Sequence, residues 1–393
     1  MSKLAVLTNE DFYYQSYRQN QKNVFGVKER YYLYSLDGRI GSTQNVNQPV
    51  TFRIEKKGSR AFLERARLIT QVKFSVDSEA TKKYYLNAMP IFQFQKIEIY
   101  CNNEFVTSFD GLQMYQDLLM HTTEDDQQFV YSRYGIGDNT FRAVNDDDVK
   151  TFYLDLNDFW NMFHMFPIYK LLDGTSIEVR VYFNNKMLTG DEKVTYEYLK
   201  TEMLLTYITP YSQKIGVVDR AKTEEFIEIL PYSFEVRPLT TTTNQNHILS
   251  FLRGRPVVLL TFVYQTETDI NAGKYTNFLA VNEFGLKAEN RYIDGNTNFR
   301  FTDQMFREVI LYDSDIENKD QLRNENLYFI SYANSLSKVF SEDTILFNGF
   351  RYFHEQQPNL ELVFSQNPST SKIIVTVWEL KSIYLRNGVL RSV

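Results

Sequence analysis

The sequence has almost no cysteine. Cys101 is the single thiol among 393 residues, which excludes an internal disulfide framework and any site built from several thiolates. It fits assembly in a reducing cytoplasm. Histidine is nearly as scarce: His121, His164, His247 and His354 stand apart, with no i,i+4 pair and no HExxH pattern, so no metal site is expected. The chain also lacks GxSxG, GxxxxGK[ST] and GxGxxG, and no His-x-Asp or His-x-Glu set suggests an oxygenase iron. No catalytic residue and no cofactor is expected. Long basic runs are missing too. With 43 Lys and Arg against 49 Asp and Glu, the formal net charge of −6 argues against direct, sequence-specific binding of nucleic acid. No apolar run approaches the ~20 residues of a membrane span. The apolar patch in MSKLAVL is short for a signal peptide and is followed by acidic residues, so a soluble chain not exported by that route is expected.

What the chain has in abundance is aromatic residues: 28 Tyr and 31 Phe, 16% with Trp. Aromatic side chains favour pleated, half-buried surfaces, which points to an all-β protein. Its length exceeds what one hydrophobic core usually organises, so two domains are expected.

The most informative stretch runs from Ile91 to Met120. Phe92, Phe94, Ile97 and Ile99 alternate with polar residues, and the parity slips at Lys96, as at a bulge. Asn102-Asn103 supplies a turn, and Glu104-Phe105-Val106-Thr107 returns. Asp110 then reads as the N-cap of a helix with Leu112, Tyr115 and Leu119 on one face. A second copy follows 191 residues later. Gln113-Met114-Tyr115-Gln116-Asp117-Leu118-Leu119-Met120 matches Gln304-Met305-Phe306-Arg307-Glu308-Val309-Ile310-Leu311 in type at every position except Gln116 against Arg307. Upstream, Asn282 to Ala288 alternates and Asp294-Gly295 occupies the turn. The chain reads as one unit used twice.

Around these copies the periodicity predicts strands over Tyr31–Leu36, Val50–Glu55, Ala61–Val76, Thr151–Leu156, Ser176–Phe183 and Val194–Ile208 in the first unit. The Ala61–Val76 strand is long enough to serve two sheets if it bends. The second unit predicts Glu225–Leu230, Ser233–Thr241, Arg255–Tyr264, Leu360–Phe364 and Lys372–Leu385, with Arg255–Tyr264 apolar enough to be buried on both faces. Residues 121–148 and 312–357 read as long irregular loops. Their acidic clusters, Glu124-Asp125-Asp126, Asp146-Asp147-Asp148 and Asp313-x-Asp315-x-Glu317, lack the spacing of a calcium loop and read as solvated. The Met- and Phe-rich passage from Phe159 to Pro167 reads as core filling. Residues 1–28 read as an N-terminal arm whose rings, Phe12, Tyr13, Tyr14, Tyr17 and Phe25, are candidate contacts to a neighbouring subunit or to the interior of an assembly. The expected division is arm 1–28, first jelly roll 29–210, linker 211–222 and second jelly roll 223–393.

About eight strands per unit are most economically packed as two tandem eight-stranded jelly-roll β-sandwiches with short helices. Three places then carry a family resemblance: Phe94 to Tyr115; Gly254-Arg255-Pro256-Val257-Val258 with Ala272 to Phe278 and Ile293-Asp294-Gly295; and the strand-turn-strand closure of each unit. On these the chain resembles the double jelly-roll major capsid proteins of adenovirus hexons, tailless membrane-containing phages, virophages and Polinton-type elements. The resemblance implies an upright double jelly roll. It implies a homotrimer of pseudo-hexagonal outline that joins neighbouring trimers in an icosahedral shell, and hence a location in the virion. Vertex and minor capsid proteins and an internal membrane are further partners it implies. Rival readings from the residues are a carbohydrate-binding or adhesive β-sandwich and a minor (vertex) capsid protein. A glycoside hydrolase is the enzymatic rival, but its carboxylates have no evident placement.

Overall fold

The structure, a computed structural model, describes residues 26–210 and 225–392 apart from 42–46, 137–141, 239–241, 293–299, 337–348, 354–356, 367–370 and single positions or pairs elsewhere. The arm residues Phe12, Tyr13, Tyr14, Tyr17 and Phe25, the linker 211–222 and the Asp294-Gly295 turn lie outside the described residues.

Besides a two-stranded pair, Tyr84–Tyr85 with Arg142–Ala143, eight strands build the main sheets of the first half among the described residues: β1 (Gly26–Leu33), β2 (Val50–Glu55), β3 (Phe62–Val76), β4 (Phe94–Cys101), β5 (Glu104–Asp110), β6 (Val149–Asp155), β7 (Ser176–Phe183) and β8 (Val194–Pro210). They form two antiparallel sheets ordered β1-β8-β3-β6 and β2-β7-β4-β5. The second half has β9 (Glu225–Val236), β10 (Asn244–Ile248), β11 (Pro256–Thr266), β12 (Glu283–Ala288), β13 (Arg291–Tyr292), β14 (Tyr328–Ser331), β15 (Asn359–Val363) and β16 (Ser371–Arg386). Their sheets are ordered β9-β16-β11-β14 and β10-β15-β12-β13. Adding eight to every number of the first half gives the second. The chain is therefore two tandem jelly rolls of identical strand order, and a short β17 (Val389–Ser392) pairs with β16 at the end.

Each sandwich buries alternate residues of its facing sheets. Phe52, Phe74, Ile97, Ile99 and Val179 fill the first core, and Phe262, Phe284, Tyr328 and Leu360 the second. The parity slip read at Lys96 is a bulge between Phe94 and Lys96 against β7. Asn102 and Asn103 take φ of 50° and 64°, the left-handed pair that a tight hairpin demands. Trp160, Phe163 and Phe166 are core residues, as the Met- and Phe-rich passage suggested.

Four expectations are corrected. The 121–148 stretch is not a loop throughout: α2 (Glu124–Tyr134) occupies part of it, following α1 (Gly111–His121). Tyr131 and Tyr134, one turn apart on α2, are buried. The 312–357 stretch likewise holds a jelly-roll strand, β14, and a short helix, Lys319–Asn324. The two strands expected across Glu225–Thr241 are one, β9, which runs through Pro231 opposite Trp378. Because β9 is an edge strand, the proline's missing N–H costs no ladder bond on its free side. Finally, β3 pairs within one sheet only, between β8 and β6, among the described residues.

Candidate functional site

The two jelly rolls meet along α1. Asp110 caps this helix: its carboxylate accepts from Gln113 N at 2.7 Å, and Gln113 Oε1 accepts from Asp110 N at 2.9 Å. This reciprocal pair satisfies two donors that a helix start leaves open. Nine of the eleven residues of α1 are buried, including the polar Gln113, Gln116 and Asp117. Such a helix has protein on every side. On one side it closes the first core through Met114, Tyr115 and Leu118. On the other it lies across the outer face of the β9-β16-β11-β14 sheet.

The polar residues of α1 make that crossing specific. Gln113 Nε2 donates to Ser233 Oγ on β9 at 2.9 Å, and Ser233 Oγ lies 3.1 Å from Thr376 Oγ1 on β16. One turn on, Gln116 Oε1 accepts from Thr261 Oγ1 on β11 at 3.0 Å, where Trp378 Nε1 also donates at 3.3 Å. At the far end, Leu119 O accepts from Asn318 Nδ2 at 3.5 Å, and Asn318 Oδ1 accepts from Gln127 Nε2 at 3.0 Å. Rings continue the contact: Phe92 stacks on Tyr275 at 5.1 Å, and Tyr115 meets Phe278 at 6.2 Å. Every residue from Val257 to Gln265 is buried, so β11 is covered on both faces, as its apolar sequence indicated.

The C-terminus returns as a clasp over the first jelly roll. Leu390 N donates to Cys101 Sγ at 3.3 Å, Arg391 pairs with Glu104 at 2.9 Å, and Leu172 N donates to Gly388 O at 3.1 Å. Burial pushes the Cys101 thiol up, away from the reactive thiolate form. The lone cysteine is thus a packing residue of the seam.

The titratable groups along α1 share one tendency. Burial raises Asp110 to about 6 against the bonds its carboxylate accepts, and burial also raises Asp117, Asp158 and Glu325. For His121 burial pulls the other way, yet the Asp117 carboxylate at 2.9 Å outweighs it and holds the imidazole above its ordinary value. These groups sit in packing between helices. Among the described residues no group of three or more His, Cys, Asp or Glu is placed to hold a metal ion. The acidic triplet near β6 serves the backbone instead: Asp146 accepts from Val76 N, and Asp148 from Asn145 N. Asp315 likewise accepts from Leu336 N. A cleft of about 510 Å³ beside Arg53, Lys56, Asp173 and Thr175 is crossed by the Lys56–Asp173 ion pair and has no His or Cys in its lining.

Sequence reasoning placed its candidate contacts in the arm and missed Gln113, Gln116, Ser233 and Thr261. The available signal was a pair of glutamines one turn apart on an otherwise apolar helix.

No family model matches the sequence, and no curated protein matches it. Solved structures do match the fold. PBCV-1 VP54, fitted into a reconstruction of the virophage Sputnik, superposes with a TM-score of 0.65 at 11% identity, over 94% of this chain and 97% of that one. The Sputnik virophage structure matches at 0.59 and 10% identity, over 94% and 88% of the two chains. The Faustovirus major capsid protein matches at 0.59 and 8% identity, over 92% and 91%. At such identities sequence similarity is gone while the fold persists over nearly the whole chain. The chain has the double jelly-roll fold of these viral capsid proteins.

Proposed function

We propose that this protein is the major capsid protein of an icosahedral virus and that it works by shape, not by catalysis. The observation that carries the reading is the exact doubling of strand order, matched nearly end to end by PBCV-1 VP54. Two similar jelly rolls in one chain give a threefold assembly six similar flanks, which is how one gene product tiles a hexagonal lattice. The subunit is a homotrimer of pseudo-hexagonal outline, with the jelly rolls upright in the shell and neighbouring trimers as its main partners. The division into 1–28, 29–210, 211–222 and 223–393 belongs to the same reading. It is supported by strand pairing that stays within 26–210 and within 225–392 among the described residues, although β1 already begins at Gly26, inside the span read as arm. The arm rings Phe12, Tyr13, Tyr14, Tyr17 and Phe25 are assigned to contacts between capsomers or toward the interior. Vertex proteins and an internal membrane are partners of the same proposal.

The test is mass photometry of the purified chain followed by electron microscopy. Trimers that associate into sheets or shells are expected; a monomer at every concentration, binding a glycan array, would sink the reading. Deleting residues 1–25 should leave the trimer intact and reduce shell formation.

A further inference from the structure

The same strand of the two jelly rolls turns different chemistry toward its core. Strand β2 sends Val50, Phe52 and Ile54 inward, and all three are buried. Its counterpart β10 reads Asn244-Gln245-Asn246-His247-Ile248, and its buried positions are Gln245 and His247. Register fixes where these two point. Gln245 stands in a row with Leu362 and Phe284, and His247 in a row with Leu360 and Leu286, all four residues of the second core. A polar side chain in such a row needs a hydrogen-bond partner. Gln245 has one in its own turn, where its Nε2 donates to Thr242 O at 2.5 Å. His247 is only 8% exposed, and its Nε2 has no hydrogen-bond partner among the described residues.

The charges around this imidazole are engaged elsewhere. On its own sheet, Glu361 lies opposite the exposed Asn246 and so points away from the core. Glu361 and Glu283 pair there with Arg300 at 3.1 and 3.5 Å, and Lys287 lies 3.7 Å from Glu361. On the facing sheet, Glu379 pairs with Arg255 at 2.6 Å and Lys381 at 3.3 Å, and both cations lie over the Tyr232 ring. Glu235 of β9 pairs with Lys372 and Arg237. Among the described residues no carboxylate pairs with His247, and burial pushes its pKa below the ordinary value of 6.5. A released strand would take the proton at the ordinary value. The open form therefore binds more protons, and it gains on the closed form as pH falls below about 6.5. Strand β10 is also easily released: it has five residues, pairs with β15 alone, and leaves Asn244, Asn246 and Ile248 in solvent.

We infer that β10 is an acid-released edge: a proton on the His247 imidazole detaches the strand from β15 and opens the second jelly roll, while the first jelly roll and the α1 seam stay closed. An imidazolium carries two N–H donors and a charge, and at Nε2 the closed core offers neither an acceptor nor a counter-ion. Water reaches that atom once the strand leaves. The first jelly roll has no such trigger, because β2 fills its inward positions with Val, Phe and Ile. Nor has the seam, where His121 lies 2.9 Å from the Asp117 carboxylate and is stabilised by a proton. The device works within one chain, so it stands or falls apart from the capsomer reading.

The test is hydrogen–deuterium exchange of the full-length chain, read by mass spectrometry at about pH 7.5 and about pH 5.5. Labelling times are scaled for the intrinsic pH dependence of exchange. Amides of Asn244–Ile248 should lose protection by up to about tenfold at the lower pH, the limit for one proton taken up a unit below 6.5. Those of Val50–Glu55 and Gly111–His121 should keep theirs. His247→Leu and His247→Gln put non-titrating side chains at the same place, and both should abolish the pH dependence at β10. Circular dichroism at the higher pH checks that each variant is folded, and the comparison of β10 with β2 in the unaltered chain needs neither. Protection of β10 that ignores pH, a loss shared equally by β2, or a loss that persists in both variants overturns the inference.

Discussion

The two helices that follow the hairpins of the two jelly rolls differ more in surroundings than in sequence. Except at Gln116 against Arg307 they match in type position by position, yet α1 is buried on every side, while the 303–313 segment keeps an exposed acidic flank and contains a π-turn. The sheets differ in the same sense. The outer face of β9-β16-β11-β14 is built from Thr261, Thr376 and Trp378, all buried; that of β1-β8-β3-β6 carries Arg65, Lys200 and Tyr153 in solvent. A repeat joined once within a chain must end with one matching pair of surfaces unjoined. The chemistry of those surfaces follows: uncharged hydroxyls and amides where the face is covered within the chain, charges where it meets water.

The largest effect should come from Trp378. Trp378→Ala beneath α1 removes a buried ring and its bond to Thr261, and should cost about 3–5 kcal/mol by urea denaturation. The corresponding test on the bare face, Tyr153→Ala, should stay within about 0.5 kcal/mol for the single chain. Equal losses would erase the distinction between the faces. Next comes the clasp. Gly388 has φ +73°, and a Cβ there would lie 2.5 Å from Leu172 N, so Gly388→Ala should cost about 2–3 kcal/mol and expose Cys101 to thiol reagents faster.

The two caps offer a comparison by pH. Asp110 caps α1, whereas Thr302, a hydroxyl that does not titrate, caps the 303–313 segment by accepting from Met305 N. The folded chain holds the Asp110 proton up to about pH 6, while the unfolded chain releases it near 3.8. The folded state therefore binds more protons in that window, and this group's contribution falls as pH rises from about 4 to 6, by on the order of 3 kcal/mol. Asp110→Asn keeps a cap and should flatten that part of the stability profile; an unchanged profile would place the proton uptake elsewhere. The smallest contrast is Gln113→Ala against Gln304→Ala. The first removes half a capping box and the bond to Ser233, for about 1–2 kcal/mol, and the second leaves the single chain within about 0.5 kcal/mol.

Much of the fold was legible because alternation reports which residues face a core. Val50–Glu55 and Ser176–Phe183 were read to the residue, and β11 was read as buried on both faces. What escaped lacked that signal. Strand β14 is four residues long, and β10 alternates polar residues of which Gln245 and His247 are nevertheless buried. Helix α2 has too weak an apolar stripe to stand out from a loop; its burial comes from Tyr131 and Tyr134 closing against the first core.

By itself, then, the sequence determined the all-β class, the doubled unit and the capped helix at Asp110, because period, turn residues and caps act over a few neighbouring positions. Only the tertiary structure decided that Gln113 and Gln116 would bridge two jelly rolls, that Cys101 would sit under the C-terminal strand, and that one of two matched helices would be enclosed while the other kept an open flank. Those outcomes depend on which surfaces meet across 120 to 289 residues of chain. Local pattern carries no record of such separations; packing does.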